Sequence, residues 1–354
     1  MKDNSLNKLA WKRFRANKLS FSAFLVIIVC IFSSFFSVLI TPDKTPMAND
    51  MHIELATLKP FTRVTFLCIP KNENLPSSIF YQIFIGKDLD HKKIPISSYV
   101  DLGDKVQFQI FNSLQERQYT GDFYLKEQIY WFGTDKYGRD FLSRIIYGMR
   151  ISLSVGFIAV FISLLIGISL GLIAGYFRGK VDYFIMWFVN VIWSIPTLLM
   201  VIAITLALGK GFWQVFVAVG VTMWVDVARI VRGQVLTIRE LEYIEAGKVL
   251  AYKPFRIIFH HILPNIVGPV IVIAAANFAT AILIESGLSF LGIGAQPPIP
   301  SWGTIIKDHY AYIIMNKAYL AIIPGLSIML LVLSFMLLGN GLRDAFDVKA
   351  EKDN

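Results

Sequence analysis

Long uncharged stretches recur along the chain and indicate its architecture. Five of them are long enough to cross a bilayer about 30 Å thick as a helix, which takes about 20 residues. They are Leu19–Ile40, Ile151–Phe177, Tyr183–Leu208, Ile266–Ile284 and Ala318–Leu338. A sixth stretch, Phe212–Val225, reaches spanning length if Asp226 lies at the interface and Arg229 extends to water, where the two form an ion pair. The pattern predicts an all-α polytopic membrane protein with six transmembrane helices.

The composition agrees with this prediction. Of the 354 residues, 55% are hydrophobic and 17% are charged, and the mean hydropathy is +0.57. Soluble proteins carry about 25% charged residues. The net charge of +9 is concentrated beside the apolar segments, which favours a role in topology, and we predict no nucleic-acid partner. Cys30 lies in an apolar run and Cys68 in a polar segment, so no disulfide is predicted.

The distribution of Lys and Arg predicts the orientation. Residues 1–18 carry six basic residues and residues 229–256 carry another six, which places both segments and the C-terminus in the cytoplasm. Residues 41–130 contain ten basic and eleven acidic residues and are predicted to lie outside. The four basic residues of segment 131–150 run against the rule, but a long translocated loop tolerates such charge.

The external segment between helices 1 and 2 has strand-like patterns. In KVQFQIF, residues 105–111, apolar and polar side chains alternate, which is typical of a half-buried strand. RVTFLCI (63–69) and IFYQIFI (79–85) are also strand-like. We therefore predict a small β-rich extracytoplasmic insert. The apolar positions Leu142, Ile145, Ile146 and Met149 then predict a helix at the outer interface.

Patterns for catalysis and cofactor binding are missing from the sequence. No phosphate-binding GxxxxGK[ST] occurs, so ATP must bind another chain if it drives the protein. The five histidines form no HExxH, and no group of His, Cys and carboxylates has the spacing of metal ligands. We predict no catalytic residue, no metal and no cofactor, and hence no enzyme.

Glycines and prolines mark contacts between the predicted spans. Gly167, Gly171 and Gly175 form GxxxGxxxG, a pattern that lets a neighbouring helix approach closely. Pro196 and Pro324 lie inside the third and last spans, where proline is able to kink a helix.

A basic, amphipathic stretch, EAGKVLAYKPFRIIFHHILPN (245–265), separates two of the spans. Pro254 divides it, and Phe255, Ile258, Phe259 and Ile262 then repeat at i, i+3, i+4 and i+7 on one face. Both halves are too short to span a bilayer, so two short helices joined by a bend are predicted at the cytoplasmic surface. Such a unit either rests on the membrane or docks in a groove of a partner.

This stretch resembles the EAA motif of ABC importer permeases. Glu245, Ala246, Leu263 and Pro264 match the motif, whereas Gly247 stands at the usual second alanine and Ala251 at the usual glycine. If that position has a positive φ, alanine there costs about 1 kcal/mol.

Four further stretches resemble the peptide-type branch of these permeases, which serves dipeptides, oligopeptides, nickel and glutathione. They are FGTDKYGRDFLSRIIYGMRISL (132–153), ARIVRGQVLTIRELEYIEAG (228–247), ESGLSFLGIGAQPPIPSWGTII (285–306) and LGNGLRDAFD (338–347). The first contains the GTDxxGRD motif of one subunit type. The resemblance covers roughly residues 5–40 and 131–348, and Asn340 departs from an expected acidic residue.

The resemblance implies a type I (MetI-like) permease core in the inner membrane of a bacterium and a set of partners. These are a paired permease in a heterodimer, two cytosolic ABC ATPases, an extracytoplasmic solute-binding protein and membrane lipid. The ATPase-coupling residues that it implies are Glu245, Ala246, Gly247, Ala251, Phe255, Phe259, Leu263 and Pro264.

The expected domains are 1–40 (cytoplasmic N-terminus and first helix), 41–130 (insert), 131–150 (interfacial segment), 151–342 (core with coupling helices within 240–264) and 343–354 (cytoplasmic tail). The alternatives are an ion- or proton-coupled secondary transporter and a membrane-embedded enzyme. The uncharged spans argue against the first, and the missing catalytic set argues against the second.

Overall fold

The computed structural model describes residues 6–71, 79–103, 105–113, 115–209 and 211–346. The helices are α1 (Leu6–Ala16), α2 (Lys18–Phe35), α3 (Ser37–Ile40), α4 (Ile79–Phe84), α5 (Phe141–Phe177), α6 (Gly179–Trp193), α7 (Thr197–Ala207), α8 (Phe212–Ile238), α9 (Glu242–Val249), α10 (Pro254–Arg256), α11 (Leu263–Phe290), α12 (Trp302–His309) and α13 (Tyr319–Phe346). The strands are β1 (Thr62–Pro70), β2 (His91–Asp101), β3 (Lys105–Ile110), β4 (Glu116–Thr120) and β5 (Tyr124–Tyr130). Short 3-10 helices cover Pro46–Ala48, Ile53–Leu55 and Tyr310–Met315, and a π-helix covers Ile257–Ile262.

The chain divides into two compact units. The helical unit consists of Met1–Val29, Ser152–Gly294 and Ser327–Asn354. The sheet unit consists of Cys30–Ile151 and Ala295–Leu326.

Five helices within the described ranges are long and apolar enough to cross a membrane. They are α2, α5, α8, the continuous helix Pro254–Phe290 and α13. A sixth span results if α6 and α7 are counted as one, although their axes differ by 88°. The predicted span Tyr183–Leu208 is therefore divided into two helices, with Pro196 at the break. Pro196 explains the break, because proline disfavours a helical conformation in the residue before it.

Four spans, namely α5, α8, Pro254–Phe290 and α13, are longer than the uncharged stretches suggest. The segment predicted as a separate interfacial helix from Leu142 forms the first turns of α5, which continues to Phe177. In α8 the helix runs through Asp226, Arg229 and Arg232 to Ile238. Arg232 donates from Nε and Nη2 to Asp182, at 2.5 and 2.7 Å. Because a paired charge costs less to bury, the helix tolerates it.

The glycine repeat of α5 faces α8. A Cβ atom at Gly167, Gly171 or Gly175 would lie 2.5–2.7 Å from the nearest atom of Val227 or Val235 or from the Ala228 carbonyl oxygen. Real Cβ atoms do not approach other atoms this closely. The repeat therefore sets the distance between the two helices, as close approach of small residues does in other membrane proteins.

The sheet unit contains a five-stranded antiparallel sheet with the order β4-β3-β2-β1-β5. Phe66 and Cys68 of β1 are buried on one face, and Leu67 is buried on the other with Val106 and Phe108 of β3. Two of the three segments predicted as strands form β1 and β3. The third, IFYQIFI, was predicted wrongly and forms α4. Apart from Gln82, this segment is an unbroken apolar and aromatic run, and the periodicity of so short a run does not distinguish a helix from a strand.

Candidate functional site

The segment predicted to couple with an ATPase begins with the short helix α9. Ile244 is buried on its inner side in a cluster that includes Ile257, Ile258 and Ile262. The outer end carries Val249 and Leu250, which are 86% and 65% exposed. The charged residues Glu242, Glu245 and Lys248 of the same helix are also exposed. We call the exposed pair Val249 and Leu250 the apolar tip of α9, and the buried Ile244 its base.

The turn after α9 is closed by two backbone hydrogen bonds. Tyr252 N donates to Gly247 O and Ala251 N donates to Lys248 O, both at 3.0 Å. This is the bonding of a Schellman motif, in which the residue after the helix end takes a left-handed conformation and is usually glycine. Ala251 occupies that position with φ +55°. The strain considered from the sequence is therefore present.

Gly247 lies under the ring of Tyr252. A Cβ atom at Gly247 would lie 3.4 Å from Tyr252 Cδ2. Tyr252 also stacks on His261 at 6.1 Å between ring centroids, and the Arg256 guanidinium lies 4.1 Å from its ring centroid. Gly247 is therefore a buried part of the turn, whereas Glu245 and Ala246 face outward.

The second half of the segment differs from the sequence prediction of a separate short helix. Helix α10 continues through the π-helical turn Ile257–Ile262 into α11, so that one helix runs from Pro254 to Phe290. The π-helical turn precedes Pro264, whose missing N–H interrupts regular α-helical bonding. Leu263 is partly buried and Pro264 is exposed. The predicted bend thus lies between the end of α9 and Pro254, and the helix that starts at Pro254 continues into the membrane span.

Phe255 and Phe259 form the exposed face of this helix start. Their rings stack at 4.6 Å, and both side chains are exposed. With Leu263 they line an apolar groove of about 550 Å³, whose other wall is formed by α5 residues that include Leu172 and Phe177. The two phenylalanines therefore face α5. Val249 and Leu250 do not line this groove.

A polar cavity of about 280 Å³ lies where the α6–α7 bend meets α8 and α11. Its polar lining consists of Trp193 and Thr197 from the bend, Thr222 and Asp226 from α8, and Asn277 and Thr280 from α11. Asn277 is 5% exposed, and its Nδ2 has no hydrogen-bond partner among the described residues. Sequence analysis did not identify this cavity, because its walls come from segments far apart in the chain.

The ion pair predicted between Asp226 and Arg229 is wrong. The Arg229 guanidinium instead lies 4.1 Å from the ring centroid of Trp193. In the described part of the chain no ion pair joins Asp226 to any cation. The spacing of three residues allowed the pair on a helix, but the bend of α6 supplies an aromatic face for the arginine.

The GTDKYGRD motif forms a buried polar network in the sheet unit. Asp135 accepts from Arg139 Nε at 2.7 Å and from the backbone N of Tyr137 and Arg139 at 2.8 and 3.0 Å. Arg139 Nη1 donates to Asn49 Oδ1 at 3.0 Å. Gly138 has φ +73°, and a Cβ there would lie 1.7 Å from the His52 carbonyl oxygen. The motif therefore holds the chain around residues 47–58.

Two carboxyl groups of this unit have shifted pKa values. Burial raises the pKa of Asp140 to about 6, with the nearby charges of Asp43 and Asp135 adding to the effect and hydrogen bonds from Ser143 opposing it. Burial also raises the pKa of Asp50, but hydrogen bonding to His52 and the charge of Lys93 outweigh it and lower the value to about 2. Asp140 therefore has a pKa close to neutral pH, whereas Asp50 is ionised at neutral pH.

A multi-pass helical protein with an apolar tip on a short helix and a polar cavity among its spans fits the class of membrane transport components. Residues 167–352, slightly more than half of the chain, match the family described as "Binding-protein-dependent transport system inner membrane component", and the chain belongs to this family. Residues 5–60 match "N-terminal TM domain of oligopeptide transport permease C". The resemblance inferred from the sequence motifs is confirmed.

Individual relatives agree with this assignment. The dipeptide transport system permease protein DppC of Alkalihalophilus pseudofirmus is 45% identical over 62% of this chain and 72% of its own length. The glutathione transport system permease protein GsiD of Pectobacterium atrosepticum is 41% identical over 62% of this chain and 73% of its own. Among solved structures, an inward-facing form of the MetNI methionine ABC transporter is 20% identical, with a TM-score of 0.49 over 58% of this chain and 97% of that chain.

Proposed function

We propose that this chain is a permease subunit of an ATP-driven, binding-protein-dependent ABC importer for peptides. Paired with a second permease, it forms the translocation pathway, while two cytosolic ATPases hydrolyse ATP and an extracytoplasmic protein delivers the substrate. The family supports the transport role. The names of relatives that serve dipeptides and glutathione support the peptide substrate.

One observation carries the proposed coupling role: the exposed tip at Val249 and Leu250 stands on a buried base. Two exposed apolar side chains on a rigid element are suited to fill a pocket of a partner. Glu245 and Ala246 lie on the same helix and complete the contact, and Gly247 and Ala251 shape the turn. Leu263 and Pro264 lie in the continuous helix Pro254–Phe290, which carries the motion into the membrane.

The orientation follows from the charge distribution. With α9 in the cytoplasm, the N- and C-termini lie in the cytoplasm as well, and residues 41–130 lie outside as the insert of the sheet unit. ATP-driven closure of the ATPases then moves α9 and changes the side to which the pathway opens. This coupling is a bias between two states and involves no covalent chemistry in the permease.

A secondary transporter is the weaker alternative. Such transporters place broken helices in corresponding positions of two repeated halves. Among the described helices, one pair is broken in this way, α6 and α7. The family assignment to a binding-protein-dependent system also favours the ABC importer.

The test is transport by the complete complex in proteoliposomes, with tri-alanine and glutathione as probes. The double variant Val249→Ser/Leu250→Ser is compared with Ile313→Ser/Ile314→Ser, a control pair that is similarly exposed in the sheet unit. The first variant is expected to lose co-purification with the ATPases and ATP-dependent uptake, and the control is expected to keep the ATPases bound. Normal uptake by the first variant would overturn the coupling role, and uptake without ATPases would overturn the ABC mechanism.

A further inference from the structure

One face of α8 lines the polar cavity and continues beyond it. Thr222, Asp226, Ile230 and Gln234 are spaced four apart, which places them on one face of the helix. The first two line the polar cavity, and the last two line a second cavity of about 530 Å³. Helix α11 also contributes residues to both cavities, Thr280 to the first and Val272 to the second. The two cavities therefore follow each other along the same pair of helices.

Asp226 lies near the middle of its helix. It is about 20 Å from both ends of α8 at a rise of 1.5 Å per residue. The cavity wall beside it includes Ile195, in the non-helical break between α6 and α7. Non-helical backbone at membrane depth is tolerated where protein covers it or where it lines a water-filled space. The break, the exposed carboxylate and the cavity together indicate a water-accessible site about midway along α8.

Two of the polar side chains that line the cavity, Asp226 and Asn277, supply a hydrogen-bond acceptor and a hydrogen-bond donor. The Asp226 carboxylate is exposed, and among the described residues no cation pairs with it. Asn277 Nδ2 is buried without a partner in the described structure. A buried donor without a partner is unfavourable, so a ligand carbonyl that accepts from it binds favourably. The Thr222 and Thr280 hydroxyls donate to carbonyl oxygens of their own helices and are therefore not free to donate to a ligand.

We propose that this cavity binds the free amino end of a peptide during its passage, an inference that rests on the proposed peptide import. Asp226 accepts hydrogen bonds from the α-ammonium group, and Asn277 Nδ2 donates to the carbonyl oxygen of the same residue. These two peptide groups are attached to one α-carbon, so a single small cavity reaches both. At about 280 Å³ the cavity is below the usual range of sites that enclose a whole drug-sized ligand, and it suits one end of a peptide.

The first experiment measures tri-alanine uptake by proteoliposomes that contain the full complex. Asp226→Asn keeps the shape of the side chain and removes its charge, and Asn277→Leu removes the donor. Asp344→Asn, an exposed carboxylate of α13 outside the cavity lining, is the control. Each cavity variant is expected to lower kcat/KM for uptake about tenfold or more relative to the control, and co-purification of the ATPases checks that the variant complex assembles. Wild-type kinetics in Asp226→Asn would overturn the proposal.

A second measurement reports binding directly. Thr280→Cys, in a background with Cys30→Ala and Cys68→Ala, places a thiol in the cavity wall. Tri-alanine is expected to slow its modification in the purified complex at least threefold, and N-acetyl-tri-alanine, which lacks the ammonium group, is expected to have no such effect. Equal protection by both peptides would overturn the role of Asp226. If the wild-type complex takes up neither tri-alanine nor glutathione, the peptide-import function itself fails, and the amino-end site fails with it.

Discussion

Asp135 and Arg139 form a buried ion pair, with 2.7 Å between Arg139 Nε and Asp135 Oδ2, across the turn of the GTDKYGRD motif. Their side chains are 2% and 4% exposed. The pair is embedded in further hydrogen bonds, from backbone N atoms to Asp135 and from Arg139 to Asn49. The motif therefore acts as a structural clamp for the sheet unit, since its charged side chains bind other parts of the same chain.

Removing one partner of this pair is expected to destabilise the protein strongly. Arg139→Gln leaves the Asp135 charge buried and unpaired, a change that costs about 3 kcal/mol or more. The measurement is thermal unfolding of the purified protein in detergent, with an expected fall of several degrees in Tm. Arg117→Gln, an exposed arginine on β4, is the matched control and should leave Tm nearly unchanged. Equal Tm values for the two variants would contradict the clamp.

The raised pKa of Asp140 predicts a specific pH dependence. Its value in the folded protein, about 6, exceeds the ordinary 3.8, so the folded state binds the proton more tightly than the unfolded state. The stabilising effect of this protonation is complete below pH 3.8 and is lost as the pH rises through about 6. Asp140→Asn, which stays neutral, should therefore be more stable than the wild type at pH 7.5, by on the order of 2 kcal/mol.

This difference should disappear as the pH falls toward 4, and the comparison is made by thermal unfolding at pH 7.5 and pH 4.5. Other groups of the sheet unit, such as His309, whose pKa is lowered by burial, titrate in both proteins. They cancel in the difference between variant and wild type. A stability difference that does not change with pH would show that Asp140 is not the titrating group.

The glycines of α5 and α8 differ in a way that permits a paired test. A Cβ at Gly171 would lie 2.7 Å from both the Ala228 carbonyl oxygen and Val231 Cβ, whereas a Cβ at Gly233 would have nothing within 4 Å. Gly171→Ala should therefore push α5 from α8 and destabilise the helical unit by about 1–3 kcal/mol. Gly233→Ala should be neutral or stabilise α8 by up to about 1 kcal/mol, because alanine is the better helix former. Unfolding in detergent distinguishes them, and equal effects would refute the close contact.

The orientation is tested with cysteines at exposed positions. Cys68 is fully buried and is replaced together with Cys30, while Ser98→Cys and Lys253→Cys supply accessible thiols on the two sides. In spheroplasts, an impermeant thiol reagent should modify position 98, and it should reach position 253 only after the membrane is opened. The reverse pattern would invert the topology.

The sequence predicted six apolar spans where the described helices form five or six, and it predicted the lengths of the spans poorly. Counting uncharged residues ended the predicted spans at Ile151 and Val225, because a charge was taken as a boundary. The helices continue, since Arg232 pairs with Asp182 and Arg144 donates to the carbonyl oxygens of Met47 and Pro298. Those partners are distant in sequence, and no local pattern reveals them.

The candidate sites show the same limit. The α9 segment is recognisable because its residues are contiguous, and the motif raised the question of a positive φ at Ala251, which the structure answers with φ +55°. The polar cavity was missed, because Asp226 and Asn277 are separated by fifty-one positions and meet only through the packing of α8 on α11 and the bend at Pro196. Trp193, which replaces Asp226 as the partner of Arg229, comes from that same bend.

Ala251 provides the last prediction, because its strain is local and measurable. A left-handed conformation costs an alanine about 1–2 kcal/mol through the contact of its Cβ with the following backbone, and glycine does not have this cost. Ala251→Gly keeps both hydrogen bonds of the Schellman motif and should raise stability by up to about 1 kcal/mol, since the greater freedom of glycine in the unfolded chain offsets part of the gain. Ala246→Gly, within α9, is the matched control and should lower stability by about 1 kcal/mol. Opposite signs of the two Tm shifts are expected, and a loss of stability in Ala251→Gly would show that the turn does not hold position 251 at positive φ.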